Sequence, residues 1–86
     1  MNRNQRKELN KCAEQLEMFE NELSSIVRTI EEIKDSEEEK LDNMPDSLRE
    51  SYKGEEIEEY IERLDEILSL IDEREFTDAI DLLNEF

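Results

Sequence analysis

The sequence predicts an all-α protein, an antiparallel helical hairpin followed by a short third helix, and three observations support this fold. Two segments repeat apolar residues at the seven-residue spacing of long packed helices. The only proline, Pro45, and the only glycine, Gly54, both lie between these segments. A shorter segment with helical periodicity ends the chain. We therefore expect helix 1 at about 4–43, a turn around Pro45, helix 2 at about 52–74 and a C-terminal helix at about 77–85.

Helix 1 is predicted from two apolar series of period seven. One series is Leu9, Leu16, Leu23 and Ile30, and the other is Cys12, Phe19, Ile26 and Ile33. Together they form the a/d pattern of a coiled coil over about 3.5 heptads. Ala13 and Val27 flank this pattern and widen the apolar face beyond a two-helix seam. The residue before a proline is biased away from helical geometry, so helix 1 should end by about residue 43.

The connection between the helices should contain a helical turn of its own. The residues PDSLRE at 45–50 can form that turn, with Asp46 or Ser47 as its cap and Glu50 completing a capping box. Ser51 is an alternative cap for helix 2. Gly54 either relaxes the start of helix 2 or is simply tolerated in its first turn.

Helix 2 is predicted from Ile57, Leu64 and Ile71, which lie seven residues apart. Tyr60 shares the apolar face, so we place it in the core. The polar face is almost wholly acidic, with one favourable i,i+4 pair between Glu59 and Arg63.

The C-terminal helix is predicted from the residues REFTDAIDLLNEF at 74–86. Thr77 is its candidate N-cap, and Phe76, Ala79, Ile80 and Leu83 share one face. Because the spacing from Ile71 to Phe76 breaks the earlier phase, we expect a kink or short turn at about 74–77.

The apolar positions of the two long helices mirror each other about Pro45. Ile26 and Leu64 each lie nineteen residues from it, and Leu23 and Ile67 each lie twenty-two residues from it. An antiparallel hairpin that turns at Pro45 therefore places apolar residues opposite one another along the whole of helix 2.

The start of helix 1 extends beyond the reach of helix 2. Leu9, Cys12 and Leu16 then need another cover, which the C-terminal helix or a second copy of the chain could supply. Because a small single core is marginal, we expect coiled-coil-like packing in a homodimer, with these three residues in self-association.

Composition limits the class of protein. A chain of 86 residues forms one domain at most, which we place at 1–86. It has no histidine, one glycine and one cysteine, Cys12, which lies at a heptad core position. We therefore expect no enzyme, no catalytic residue, no cofactor and no metal site. Residues 1–11 lack an apolar leader and no long apolar run follows, so we expect a cytoplasmic protein without membrane contact.

Charge indicates the kind of partner. The net charge is −16, although residues 1–11 alone carry +3. Such a surface repels nucleic acid and attracts a basic protein surface over long range. We predict partner contacts on helix 2 and in the connection before it, through Glu55, Glu58, Glu59, Glu62, Glu66 and Tyr52.

A sharper possibility is mimicry of nucleic acid. Residues 55–85 contain thirteen acidic residues. If the segment were fully helical, this would be one carboxylate per about 3.6 Å, close to the ~3.4 Å phosphate spacing of one DNA strand.

A resemblance to a group of known proteins rests on two stretches of the sequence, DNMPDSLRES at 42–51 and GEEIEEYIERLDEILSLID at 54–72. The chain resembles short acidic helical proteins of phages, prophages and mobile elements of Gram-positive bacteria, which share a DN-[LM]-P-x-[SN]-L turn between two helices. The resemblance covers residues 20–75 and brings no site residues. It implies a phage-type interaction protein that binds and blocks or modulates a host protein in the bacterial cytoplasm. The alternatives are a DNA mimic that occupies a basic nucleic-acid-binding site, and a structural or assembly coiled-coil protein.

Overall fold

The computed structural model describes residues 1–71 and 76–86, whose regular structure is entirely α-helical. Helix α1 spans Arg3–Asp42, α2 Asp46–Arg49, α3 Tyr52–Leu70 and α4 Thr77–Asn84. The predicted all-α class is confirmed, and the bounds of the first and last helices agree with the predicted ones to one residue. Helix α3 begins where predicted and ends at Leu70; the predicted continuation to 74 and part of the predicted kink lie outside the described residues.

The chain forms two compact units, and α1 contributes to both. The first unit is Met1–Ser25 with Glu73–Phe86, and the second is Ile26–Asp72. Helix α1 begins with a reciprocal cap that the sequence analysis missed. The Gln5 amide donates to Asn2 Oδ1 at 2.8 Å, and the Asn2 amide donates to Gln5 Oε1 at 3.0 Å. The signal was present as N-x-x-Q, the amide version of a capping box.

In the first unit, α4 packs along the start of α1 in the opposite direction. The rings of Phe19 and Phe76 meet edge to face with centroids 6.0 Å apart, and Asn10 Nδ2 donates to the Leu83 carbonyl at 3.3 Å. Thr77 is not the predicted N-cap, because it begins the helix and Phe76 occupies the cap position without a side-chain hydrogen bond.

In the second unit, α1 and α3 lie antiparallel, but not in the predicted register. A mirror about Pro45 puts Lys34 opposite Glu56, whereas the Lys34 ammonium forms an ion pair with Asp65. Those nine residues correspond to about 13 Å along a helix. The physical reason is the connection, since α2 adds a helical turn of its own and moves the centre of the reversal beyond Pro45.

The connection is held by backbone contacts and one arginine. Pro45 occupies the N-cap position of α2, so the predicted cap at Asp46 or Ser47 is wrong. Ser51 occupies the N-cap position of α3 as predicted, but it forms no side-chain cap hydrogen bond. The Ser51 hydroxyl donates instead to the Leu48 carbonyl. Arg49 donates to the Leu41 carbonyl through Nε at 3.3 Å and Nη2 at 3.0 Å, which satisfies an end carbonyl of α1.

At Gly54, the backbone of α2 approaches α3 closely. The residue is buried, and a Cβ there would lie 2.5 Å from the carbonyl carbon and 2.8 Å from the Cα of Arg49, with the carbonyl oxygen nearer still. The backbone of Gly54 does not need a left-handed conformation. Glycine is thus required at this position by close approach, and it is not merely tolerated in the first turn.

The buried face of α1 differs from the predicted a/d pattern. The Leu9 series is half-buried as expected, but its partner series begins at Ala13 and includes Val27, which are 1% and 6% exposed. The predicted partner series is exposed throughout: Cys12, Phe19, Ile26 and Ile33. The apolar stripe is wider than one packed neighbour covers, and the smaller Ala13 and Val27 allow a neighbouring helix to approach more closely.

Candidate partner-binding surface

The second unit presents several large apolar side chains to solvent. Ile26 and Ile33 on α1 are 50% and 51% exposed, and Tyr60 and Ile67 on α3 are both 42% exposed. Tyr60 is therefore not the core residue that its place in the heptad predicted. A chain with 35% apolar and 44% charged residues has few apolar side chains for its core. Because these four large apolar side chains are nevertheless exposed, they mark a candidate contact surface.

Ile33, Tyr60 and Ile67 line a groove between α1 and α3, which we call the apolar groove, whereas Ile26 is not among its lining residues. Its volume is about 340 Å³, and it is lined by Ile33, Glu37, Tyr60, Arg63, Leu64 and Ile67. Glu37 is held by Lys40, whose Nζ lies 3.0 Å from its Oε1. Ile33, Leu64 and Ile67 give the groove aliphatic surface and Tyr60 gives it aromatic surface. Glu37 and Arg63 are its charged lining residues. Such a groove accepts apolar side chains of a partner.

A second groove adjoins the first and is acidic. It has a volume of about 280 Å³ and is lined by Tyr52, Glu55, Glu56, Glu59, Tyr60 and Arg63. We call it the acidic groove. Arg63 pairs with Glu59 at 2.9 Å, which confirms the predicted i,i+4 pair. Three carboxylates against one guanidinium leave a net negative site for lysine or arginine side chains.

Tyr60, which lines both grooves, forms a hydrogen bond through its phenol to a carboxylate of the acidic groove. Its hydroxyl donates to Glu56 Oε1 at 2.7 Å. This hydrogen bond and the charge of Glu56 raise the pKa of Tyr60 above its ordinary value of 10.0, because ionisation would place a phenolate against a carboxylate. The phenol is thus held as a neutral donor.

Lys34 joins α1 to α3 in the same unit. Its ammonium pairs with Asp65 and lies 3.7 Å from Glu38. The hydrogen bond to Asp65 is the largest of the effects that raise the pKa of Lys34, and partial burial opposes them. The pair is consistent with the helix register described above, and because it is partly exposed it contributes little to stability.

The structure brings together only some of the predicted partner-binding residues. Tyr52, which is 79% exposed, Glu55 and Glu59 all line the acidic groove. Glu58, Glu62 and Glu66 are exposed on α3 but line neither groove. Among the described residues, none of these three has a cation within ion-pair distance. They form a separate acidic face of α3.

The predicted self-association residues lie in the first unit, beside α4. Leu9 and Leu16 are half-buried, while Cys12 is exposed. The C-terminal helix, one of the two covers considered, runs along this part of α1. Self-association through these residues stays a prediction.

Sequence reasoning missed Ile33 and Ile67 as surface residues because it placed both in the core. A usable signal was present, since α1 carries apolar residues at offsets of both three and four from the Leu9 series. One packed neighbour covers only part of so wide a face. The apolar series that a single neighbouring helix leaves uncovered is therefore the candidate contact surface.

Within residues 1–71 and 76–86, no group of three or more histidine, cysteine, aspartate or glutamate side chains is arranged to hold a metal ion. The helices of that same part of the chain are too short or too polar to cross a membrane. Comparison with protein-family models, with curated proteins and with solved structures finds no match to this chain.

Proposed function

We propose that this chain is a non-enzymatic interaction protein of phage type. It binds a protein with a basic surface in the cytoplasm of a bacterial host and blocks or modulates that protein. The observation that supports this function is the line of exposed apolar side chains in the second unit, next to a net negative groove. The apolar residues supply affinity, and the negative charge steers a basic partner and speeds its association.

Site-specific photo-crosslinking in a Gram-positive host lysate tests this function. A photoreactive residue replaces Ile26, which is exposed on the apolar side of α1, and a matched variant carries it at exposed Glu31 on another face. We expect one defined adduct from position 26 that excess unlabelled protein competes away, and none from position 31. If no competed adduct forms from position 26, the proposal is wrong.

A DNA mimic is the second candidate, and the acidic face of α3 favours it, because its three carboxylates have no cation partner within residues 1–71 and 76–86. Glu58, Glu62 and Glu66 follow one another at four-residue spacing, about 6 Å apart along the helix. If the chain is a mimic, replacing all three by glutamine will greatly weaken partner binding, and duplex DNA will compete with the wild type. If the apolar side chains dominate instead, this triple variant will bind as the wild type does and DNA will not compete.

A further inference from the structure

We infer that the apolar and acidic grooves together form one receptor for a partner's amphipathic helix, with apolar residues along one face and lysines or arginines at one end. This inference rests on the proposed function and adds the chemistry of the partner segment. It commits to a helix of another protein as the occupant, in preference to a second copy of this chain.

The two grooves adjoin at Tyr60 and Arg63, which line both of them. Along α3 the apolar groove extends from Tyr60 to Ile67, about 10 Å of helix. Two turns of a partner helix span the same length, so apolar residues at positions i, i+4 and i+7 match it. The acidic groove begins at Tyr52, so basic residues at the adjoining end of the partner helix would meet its carboxylates.

A helix fits this surface better than an extended peptide. An extended segment gains affinity by adding to the edge of a sheet, and the described part of the chain contains no strand. A helix satisfies its own backbone hydrogen bonds and needs only side-chain contacts from the receptor. The groove between α1 and α3 is the kind of site in which a third helix packs in a bundle.

Charge argues against a second copy as the occupant. Residues 26–72 carry 17 acidic and 6 basic residues, a net charge of −11, so two such units repel each other. The net basic segment of the chain, at 1–11, has no apolar series of its own beyond Met1 and Leu9. It therefore lacks the apolar spacing that the groove requires, whereas a basic amphipathic helix of another protein supplies both features.

The test uses the full chain and a designed probe. The probe is a labelled helical peptide of about 14 residues with leucine at i, i+4 and i+7 and lysines at one end, and its control has glutamate in place of lysine. Fluorescence anisotropy at low salt measures binding. We expect saturable binding of the lysine peptide and at least ten-fold weaker binding of the glutamate peptide.

Two matched pairs of variants locate the site. Ile67→Ser should weaken lysine-peptide binding at least ten-fold, because one apolar anchor loses its contact, whereas Leu70→Ser changes an exposed residue of the same helix outside the groove and should leave binding within two-fold. Replacing Glu55 and Glu59 with glutamine should weaken binding more than the same change at Glu58 and Glu62. Circular dichroism confirms that each variant is folded.

Three results would overturn the inference. These are equal binding of the two peptides, equal loss in the Ile67 and Leu70 variants, and self-association of the wild type that Ile67→Ser abolishes, which would make a second copy the occupant. If the lysine peptide fails to bind while the competed adduct at position 26 persists, the inference fails and the proposed function stands. If the lysine peptide does not bind and no competed adduct forms at position 26, both the inference and the proposed function are wrong.

Discussion

Replacing Gly54 with alanine tests the close approach of α2 to α3, because helix propensity predicts a rise in the free energy of unfolding and tertiary packing predicts a fall. Gly54 lies in the first turn of α3, where alanine is the better helix former by about 0.5–1 kcal/mol. On propensity alone the variant should be more stable. The added methyl, however, would fall within 2.8 Å of the Cα of Arg49, a backbone atom that cannot rotate away as a side chain can.

The expected cost follows from what must move. Forcing a methyl group into a packed site costs about 1–3 kcal/mol. Displacing Arg49 also disturbs its hydrogen bonds to the Leu41 carbonyl, and a hydrogen bond from a charged donor contributes about 1.5–3 kcal/mol. After the gain in propensity, the free energy of unfolding should fall by about 2–5 kcal/mol, a large part of the stability of so small a protein.

Urea unfolding followed by far-ultraviolet circular dichroism measures this change. With a slope of about 1–1.5 kcal/mol per molar urea, the midpoint should fall by more than about 1 M. Lys53→Ala is the matched control, since Lys53 is the exposed neighbour in the same turn, and it should change the free energy by less than about 0.5 kcal/mol. A Gly54→Ala variant as stable as the wild type, or more stable, would refute the close approach.

Three further predictions test the phase, the register and the charge of the second unit. Val27→Ala should lower the free energy of unfolding by about 1–2 kcal/mol and Ile26→Ala by much less, measured by urea unfolding; the reverse order would restore the predicted heptad phase. Cysteines replacing Lys34 and Asp65 in a Cys12→Ser background should be joined within one chain by a short bismaleimide reagent, which replaces the reach of the lysine side chain, and crosslinks formed only between chains would contradict the observed register. Because the pKa of Lys34 is raised in the folded protein, its ion pair with Asp65 stabilises the fold fully below pH 10.5, the ordinary pKa of lysine, and this stabilisation is lost as pH rises through the folded pKa. The difference in urea midpoint between the wild type and Asp65→Asn should therefore shrink as pH rises above 10.5. A difference that stays constant would show that the charge pair is not responsible for it.

The sequence determined the elements of this protein because their signals are local. Apolar residues at heptad spacing, an uninterrupted stretch before Pro45 and the shift of phase after Ile71 place three helices close to their observed bounds. Charge is likewise a property of composition, so the acidic character of α3 and the Glu59–Arg63 pair were predictable from residue order alone.

Only the tertiary structure decided which apolar series of α1 is buried and how the helices are aligned. The series that contain Cys12 and Ala13 lie one residue apart on the same wide face, and the sequence pattern does not state how far a neighbour covers it. The register depends on how α2, a turn that the sequence itself predicts, packs against α3, and on the space that Gly54 leaves for Arg49, which are contacts between elements. The same contacts leave Ile33 and Ile67 exposed, because one neighbouring helix can cover only one side of a face that is wider than the seam between two helices.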